Sequence, residues 1–321
     1  MDIIEQFLSQ SRFEAPPGFR CGTVALIGRP NAGKSTLLNR IIGTKVAIVT
    51  PKPQTTRQRI LGIHTDERQQ IVFIDTPGIH KSSSRLNRNM VRTAHAAAAE
   101  ADLIVVLQDA SKPLDRGTEA LIRQMAENYP DKPRIQVLNK VDKIDKALLL
   151  PRLQQTQQLD PAASAWIPLS AAKGTQVEQL LNELRRHLPE SPPLYDPEWF
   201  TDQSQRQLAA EYLREQIFLA MQQEIPFQTA VEIERFEEQE AEEGLRPSLE
   251  IEAAILVGSE RHKPILIGRG GEQLKQIGIR TRKALEQLFE CHIHLKLWVK
   301  VVPGWYESEA RLGELGLGGN D

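Results

Sequence analysis

The sequence is poor in cysteine and aromatic residues and has no long apolar run. Its two cysteines, Cys21 and Cys291, belong to no C-x-x-C pair, which is typical of unbridged thiols in a reducing cytosol. No apolar stretch approaches the ~18 residues of a membrane span, and the N-terminal residues show no secretory pattern. With 40% hydrophobic and 26% charged residues, we expect a folded, globular chain.

Charge is nearly balanced overall but unevenly distributed. The formal net charge is -2, yet acidic residues outnumber basic ones by seven over residues 201–321. Within residues 261–300 the basic residues outnumber the acidic ones by six. The acidic run over residues 232–243 is interpreted as a solvated loop. A polyanionic partner is therefore expected near residues 261–300.

An alternation of apolar runs and helical patterns extends from Gly22 to about Leu188. The runs are TVALIG, QQIVFIDTPG, ADLIVVLQDA, RIQVLNKVD and AWIPLSA. Short, β-branched runs separated by helical segments predict a mostly parallel, doubly wound sheet in an α/β domain. In such a sheet the binding loops lie at the carboxyl ends of the strands.

The proline-rich segment LPESPPLYDP ends this alternation, because proline continues neither a helix nor a central strand. After it come a helix pattern, two strand patterns, a glycine loop, a second helix pattern and a final strand pattern, which predict a small α+β unit. The predicted divisions are an N-terminal extension (1–20), the α/β domain (21–188), a linker (189–200), the α+β domain (201–310) and a tail (311–321).

The segment GRPNAGKST, Gly28 to Thr36, matches G-x-x-x-x-G-K-[ST] between a strand and a helix pattern. Its glycines let backbone N–H groups surround phosphate oxygens, while Lys34 neutralises the β- and γ-phosphates and the Ser35 hydroxyl ligates Mg²⁺. The next motif, DTPG, predicts Asp75 near the metal, through a water molecule, and the Gly78 amide at the γ-phosphate. Together they predict a site for a magnesium nucleoside triphosphate.

Two further strand-end motifs predict which base is bound. Asp142 of NKVD can accept hydrogen bonds from guanine N1–H and its amine, which adenine does not offer. Asn139 is expected to tie this loop to the phosphate loop, Lys140 to cover the base, and the Ala171 amide of SAAKG to meet guanine O6. Each of these two loops alone is equally well an ordinary turn, but the ordered set predicts GTP. The predicted nucleotide contacts are Gly28, Asn31, Ala32, Gly33, Lys34, Ser35, Thr36, Asp75, Thr76, Pro77, Gly78, Asn139, Lys140, Asp142, Ser170 and Ala171.

These motifs together resemble the translation-factor-related GTPases. The resemblance implies a threonine that senses the γ-phosphate through Mg²⁺, and between Thr55 and Thr56 we favour Thr56, because the threonine directly before the arginine recurs in related GTPases. Ile79 stands where Ras-like enzymes carry a water-orienting glutamine, so intrinsic hydrolysis is expected to be slow. His80 is interpreted as a loop histidine.

Asn31 is predicted to bind a second cation, K⁺, in addition to the Mg²⁺ at Ser35. In members of the resembling group with an asparagine at this position, the side chain can hold K⁺ against the phosphates, where it supplies the charge of an arginine finger. The alternative is that Asn31 only stabilises the loop turn. The residues predicted to act in hydrolysis are Lys34, Thr56, Gly78 and Asn31.

The second glycine loop, in PILIGRGGEQLKQIG, fails the dinucleotide fingerprint because Gln273 stands at its third glycine. Gly268 to Gly271 instead fit the G-x-x-G of a KH module, which clamps the backbone of about four nucleotides of a single strand. A plain turn before a helix is the alternative. The predicted RNA contacts are Gly268, Arg269, Gly270, Gly271, Lys275, Arg280, Arg282 and Lys283.

One GTPase motif set, a proline-rich joint and a KH pattern together resemble the Era family of bacterial GTPases. The resemblance implies a P-loop GTPase domain with a mostly parallel doubly wound sheet and a C-terminal α+β KH domain of type II. It further implies a monomeric GTP/GDP switch that binds the 3′ end of small-subunit ribosomal RNA in small-subunit maturation, in the cytoplasm, with peripheral association with the inner membrane. Two alternatives stay open: another ribosome-assembly or tRNA-modification GTPase, and an RNA-binding scaffold gated by GTP.

Overall fold

The computed structural model describes residues 15–79, 84–222, 224–239 and 247–318. Most of the predicted N-terminal extension, His80, residues 240–243 of the acidic run and the last three residues lie outside the described residues. The preceding part of the acidic run, residues 232–239, lies in a β-strand, so its interpretation as a solvated loop is wrong there. The chain divides into two compact units. The first comprises Met1–Ala47, Thr56–Lys81 and Met90–Asp202, and the second comprises Ile48–Thr55, Ser82–Asn89 and Gln203–Asp321.

The first unit is built on a six-stranded sheet with the order β2-β3-β1-β4-β5-β6. Its strands are β1 (Arg20–Gly28), β2 (Ile60–Thr65), β3 (Gln69–Asp75), β4 (Leu103–Asp109), β5 (Arg134–Asn139) and β6 (Ala165–Pro168). All neighbouring strands are parallel except β2 and β3. The mostly parallel, doubly wound sheet is thus confirmed, but β2 was missed because ILGIHT is short and contains a glycine.

Helices cover both faces of this sheet, which is why its central strands are continuous apolar runs. They are α1 (Lys34–Ile42), α2 (Arg85–Glu100, of which residues 90–100 belong to this unit), α3 (Arg116–Asn128), α4 (Leu149–Leu159) and α5 (Val177–His187). One face buries Leu37 of α1 with Leu180 of α5, and the other buries Ala94 of α2 with Ile122 of α3. This three-layer core fixes the strand ends on which the motif loops stand.

The predicted linker (189–200) is hydrogen-bonded to the sheet of the first unit. The side chain of Gln70, buried on β3, holds it: Gln70 Oε1 accepts hydrogen bonds from the backbone N–H groups of Leu194 and Tyr195 at 2.8 and 2.9 Å. Its Nε2 donates to the Tyr195 carbonyl at 2.9 Å. A buried amide side chain needs such partners, so this segment lies along the first unit, which ends at Asp202.

The second unit has the element order αββααβ in its main body. The elements are α6 (Gln205–Ala220), β7 (Thr229–Gln239), β8 (Ser248–Val257), α7 (His262–Ile267), α8 (Glu272–Phe289), β9 (His292–Val301) and α9 (Glu309–Glu314). The sheet order is β7-β8-β9, with β7 antiparallel and β9 parallel to β8. The predicted α+β KH fold is confirmed, while α9 crosses the predicted boundary between domain and tail. Within the described ranges, no helix is long and apolar enough to cross a membrane.

Candidate functional site

The first glycine loop joins β1 to α1, so the N-terminus of α1 lies at the predicted phosphate site. Gly33 has a φ of 99°, and a Cβ there would lie 2.2 Å from Asn139 Nδ2, so no side chain fits. The Lys34 ammonium is buried and donates to the carbonyl oxygen of Gly28 at 3.2 Å. A helix N-terminus and a buried ammonium at one loop favour a bound phosphate.

Three oxygen-bearing side chains converge beside this loop. Ser35 Oγ donates to Asp75 Oδ2 at 2.6 Å and lies 2.9 Å from Thr56 Oγ1, which is itself 3.3 Å from Asp75 Oδ2. Asp75 Oδ1 is buried and has no hydrogen-bond partner among the residues that the structure describes. Hydroxyl and carboxylate oxygens, one of them unsatisfied, fit the ligand preference of Mg²⁺.

The two candidate threonines face different partners. Thr56 is buried beside Ser35 and Asp75. Thr55 Oγ1 instead lies 2.7 Å from Thr50 Oγ1 and donates to the Lys52 carbonyl at 2.8 Å. The structure therefore brings Thr56, and not Thr55, to the oxygen cluster.

Burial acts in opposite directions on the two charged groups of this site. It lowers the pKa of the Lys34 ammonium, an effect that the charge of Asp75 opposes. Burial raises the pKa of the Asp75 carboxyl. The charge of Lys34 and hydrogen bonds from Ser35 and Thr56 oppose this rise. A phosphate near Lys34 and a cation near Asp75 each favour the charged form.

The DTPG turn is fastened to the phosphate loop. Thr76 Oγ1 donates to the Leu26 carbonyl at 2.7 Å, and the Ile79 N–H donates to the Gly28 carbonyl at 3.2 Å. A Cβ on Gly78 would lie 2.6 Å from the backbone nitrogen of Pro30, so only glycine permits this approach. The Ile79 side chain packs against the apolar face beneath α2 and α3 and offers water no hydrogen bond.

Asn139 joins the three loops of the predicted guanine site. Its Nδ2 donates to the Ala32 carbonyl at 2.8 Å, and its Oδ1 accepts from the N–H groups of Lys140 at 2.8 Å and Ala171 at 3.0 Å. Asp142 Oδ1 accepts from Ser170 Oγ at 2.5 Å. The Ala171 amide, predicted to meet guanine O6, thus already has an acceptor.

Asp109, at the end of β4, is a site residue that sequence reasoning missed. Lys140 Nζ donates to Asp109 Oδ2 at 2.7 Å and to the Asn31 carbonyl at 2.6 Å. Burial raises the pKa of Asp109, but hydrogen bonds from Lys140 and Ser111 outweigh it and hold the pKa below its usual value. An aspartate that ends a predicted strand of this sheet, in ADLIVVLQDA, was the available signal.

The glycines of the second loop differ in what they permit. Gly268 has a φ of 76°, and a Cβ there would lie 2.5 Å from Gln273 Cβ, so the fold itself requires this glycine. At Gly270 and Gly271, which also have positive φ, a Cβ would meet nothing within 4 Å. The space above these two glycines is therefore open to an approaching backbone.

A groove of about 680 Å³ runs from this loop between α8 and β9. Residues 293–297 of β9, an edge strand, form one wall. The other wall comes from Gly271 of the glycine loop and from one face of α8: Leu274, Lys275, Gly278, Ile279 and Arg282. Arg280 and Lys283 are exposed and do not line the groove, because the helical period turns them to another face. An apolar floor with cations near its rim fits a single-stranded nucleic acid.

Part of the local positive charge is compensated. Lys296 Nζ donates to Glu250 at 2.8 Å and Glu252 at 2.9 Å, and Lys300 pairs with Glu234. These three glutamates lie outside residues 261–300, whereas Glu272, 3.8 Å from Lys275, is already included in the count for that span. The excess of six basic residues over 261–300 therefore overstates the charge offered to a polyanion.

Two family models match parts of the chain, one containing the phosphate loop and DTPG and the other the second glycine loop. The model described as "50S ribosome-binding GTPase" matches residues 23–140, and the KH domain model matches residues 224–306. Fold, site and models together define a P-loop GTPase with a C-terminal KH domain.

Whole-chain comparisons narrow this class to one family. GTPase Era of Pseudomonas fluorescens is 44% identical over 301 residues, which cover 93% of this chain and 97% of that protein. GTPase Era of Nitratidesulfovibrio vulgaris is 43% identical over 305 residues, with the same shares covered. The chain belongs to the GTPase Era family.

Two solved structures are similar over almost the full length. One is a variant of Era from Aquifex aeolicus bound to GDP and AlF4⁻, with a TM-score of 0.89, 37% identity and coverage of 94% of this chain and 100% of that one. The other is Era in complex with MgGDPNP and nucleotides 1506–1542 of 16S ribosomal RNA, also with a TM-score of 0.89 and 37% identity, covering 94% and 99%.

Proposed function

We propose that the protein is a magnesium-dependent GTP switch that binds the 3′ end of small-subunit ribosomal RNA and acts in maturation of that subunit. The observation that carries this is one chain with a guanine-nucleotide site and a KH groove, aligned over 94% of its length with a relative that holds 16S ribosomal RNA. The family model named for the 50S subunit matches only residues 23–140, so the proposed partner follows the relative that is similar over the whole chain.

At the GTP site, Mg²⁺ would be held by Ser35 and Thr56 directly and by Asp75 through water. The ion supplies positive charge to the β- and γ-phosphates. Lys34 adds a second charge and the Gly78 amide orients the γ-phosphate. Ile79 cannot orient a water molecule, so hydrolysis without an activator is slow.

The side chain of Asn31 holds K⁺ at the phosphates in this proposal. The backbone conformation supports it: Asn31 has a φ of 64°, and its carbonyl oxygen accepts a hydrogen bond from Lys140, which holds the loop at this residue. A monovalent cation there would replace the charge of an arginine finger.

RNA binding starts at the open glycines. The sugar–phosphate backbone of the single-stranded RNA approaches Gly270 and Gly271, with Arg269 exposed beside them. The RNA bases lie along the groove over Gly278. Lys275 and Arg282 line the same groove and attract the phosphates.

Nucleotide state and RNA binding are coupled through residues before Thr56. The second unit includes Ile48–Thr55, whose Val49 N–H donates to Glu215 at 3.1 Å and whose Lys52 Nζ bonds the carbonyls of Phe218 and Met221. The next residue is Thr56, the proposed Mg²⁺ ligand. Ordering Thr56 with GTP therefore acts on a segment held by the RNA-binding unit.

The test uses the full-length protein, labelled GTP and ATP, and an RNA oligonucleotide of the 16S 3′ end. We expect GTP and not ATP to bind, and RNA affinity to differ between GTP-analogue, GDP and nucleotide-free states. Replacing Gly270 and Gly271 with Asp, a residue tolerated at positive φ, abolishes RNA binding and leaves GTP binding intact. Lys34→Ala abolishes GTP binding and leaves RNA affinity at the value of the nucleotide-free protein, whether or not GTP is added. Gly268 is left unchanged because its loss would distort the loop itself. Equal RNA affinity in all three nucleotide states would refute the coupling between nucleotide state and RNA binding. RNA binding by the double variant would refute the assignment of the groove at Gly270 and Gly271 as the RNA-binding site.

By resemblance alone, we also propose a monomer that acts in the cytoplasm and associates peripherally with the inner membrane. Light scattering tests the first point. Sedimentation with anionic vesicles tests the second, and protein that stays in the supernatant would contradict it.

A further inference from the structure

Arg40, which lies outside every predicted motif, is hydrogen-bonded to the SAAKG loop. Arg40 lies in the last turn of α1. Its Nε donates to the carbonyl oxygen of Ala171 at 3.2 Å, and its Nη2 donates to that of Ala172 at 2.6 Å. A planar guanidinium with fixed donors suits two successive carbonyls, whereas a lysine offers a single nitrogen.

Neighbouring amides of the same loop already have acceptors within it or beside it. The Ala171 N–H donates to Asn139 Oδ1 at 3.0 Å, the Lys173 N–H to Ser170 Oγ at 3.1 Å, and the Gly174 N–H to the Ser170 carbonyl at 2.8 Å. The amide between them, that of Ala172, belongs to the peptide unit whose carbonyl Arg40 holds.

The orientation of this peptide follows from its planarity. In a trans peptide the C=O and N–H bonds point to opposite sides, and the described chain contains no cis peptide bond. Because Arg40 fixes the Ala171 carbonyl, the Ala172 N–H points away from Arg40. The residues proposed to hold the base, Asn139 and Asp142, are bonded to Ala171 and Ser170 of the same loop.

We infer that Arg40 is a positioning residue for base recognition, which holds the Ala171–Ala172 peptide so that the Ala172 N–H donates to guanine O6. The inference rests on the proposed guanine site. The sequence predicted the Ala171 amide as the donor to O6, but in the structure that amide donates to Asn139 Oδ1. Arg40 itself touches no part of the nucleotide.

Binding of three diphosphates to the full-length protein tests this role. GDP has O6 and the exocyclic amine, IDP has O6 but no amine, and 2-aminopurine riboside diphosphate has the amine but no O6. We expect Arg40→Ala to weaken GDP and IDP by about tenfold, the size of one hydrogen bond, and to leave 2-aminopurine riboside diphosphate unchanged. Arg40→Lys should recover only part of the loss. Arg186→Ala, which removes an exposed arginine paired with Glu183 on α5, is the matched control and should change none of the three affinities.

Equal loss for all three diphosphates, or none for GDP, would overturn the role of Arg40. Asp142→Ala separates this outcome from failure of the site, because it should remove the preference for GDP over IDP; if it does not, the proposed guanine site is wrong. Amide NMR gives a second readout. The Ala172 signal should shift more with GDP than with 2-aminopurine riboside diphosphate, and an O6-dependent shift at Ala171 alone would contradict the assignment.

Discussion

Replacement of Asn139 by alanine tests whether one side chain holds the nucleotide loops together. The change removes three hydrogen bonds, to the Ala32 carbonyl and from the amides of Lys140 and Ala171. Ala32 and Ala171 are 3% and 1% exposed, so water cannot take over at these two positions without opening the loops.

The magnitude follows from these contacts. A net contribution of about 1 kcal/mol for each hydrogen bond gives a loss of about 3 kcal/mol in the free energy of unfolding of the nucleotide-free first unit. Since phosphate loop, NKVD and SAAKG then separate, GDP affinity should fall by about a hundredfold or more, as expected when about 2.7 kcal/mol of preorganisation is lost.

The assay is urea unfolding of the nucleotide-free protein together with titration of a fluorescent GDP. Asn182→Ala is the control, because Asn182 bonds only side chains on its own helix in the described contacts, Glu178 and Arg185. It should cost less than about 0.5 kcal/mol. If the free energy of unfolding of Asn139→Ala lies within 1 kcal/mol of the wild-type value and the variant binds GDP equally well, the three loops are not joined as the structure indicates.

Three further predictions follow from other contacts. GTP hydrolysis should be faster in K⁺ than in Na⁺, and Asn31→Ala should remove the difference; equal rates in both salts would contradict the potassium site. Gly278→Ala should lower RNA affinity in filter binding, because the added Cβ enters the groove 3.3 Å from the Leu297 side chain of β9; Gly313→Ala, with open space around it, should leave RNA affinity unchanged. Asp160→Ala removes the carboxylate that accepts two 3.0 Å hydrogen bonds from the buried guanidinium of Arg134, and should lower the free energy of unfolding by about 3–5 kcal/mol because the buried charge loses its counter-ion; a loss under 1 kcal/mol would mean that the backbone carbonyls that accept from Arg134 Nη1 suffice to hold the charge.

The sequence predicted the sheet class and the motif loops because both depend on local signals. Apolar runs set the strands, and glycine, lysine and aspartate at strand ends mark phosphate and base contacts. Asp109 and Arg40 escaped, since their partners are 31 and more than 100 residues away in the chain and no spacing rule joins them. The linker was predicted from its prolines, but only a buried glutamine on a distant strand shows that its backbone is held.

Gly268 has a consequence for how glycine signatures are interpreted. Since its own Gln273 excludes a side chain there, selection would keep this glycine even in a domain that had ceased to bind RNA. Gly270 and Gly271 face no such internal constraint on space. In a saturation library, intolerance at Gly268 would therefore report folding, whereas the substitution pattern at the other two, compared between abundance and RNA-binding selections, would report what the groove does.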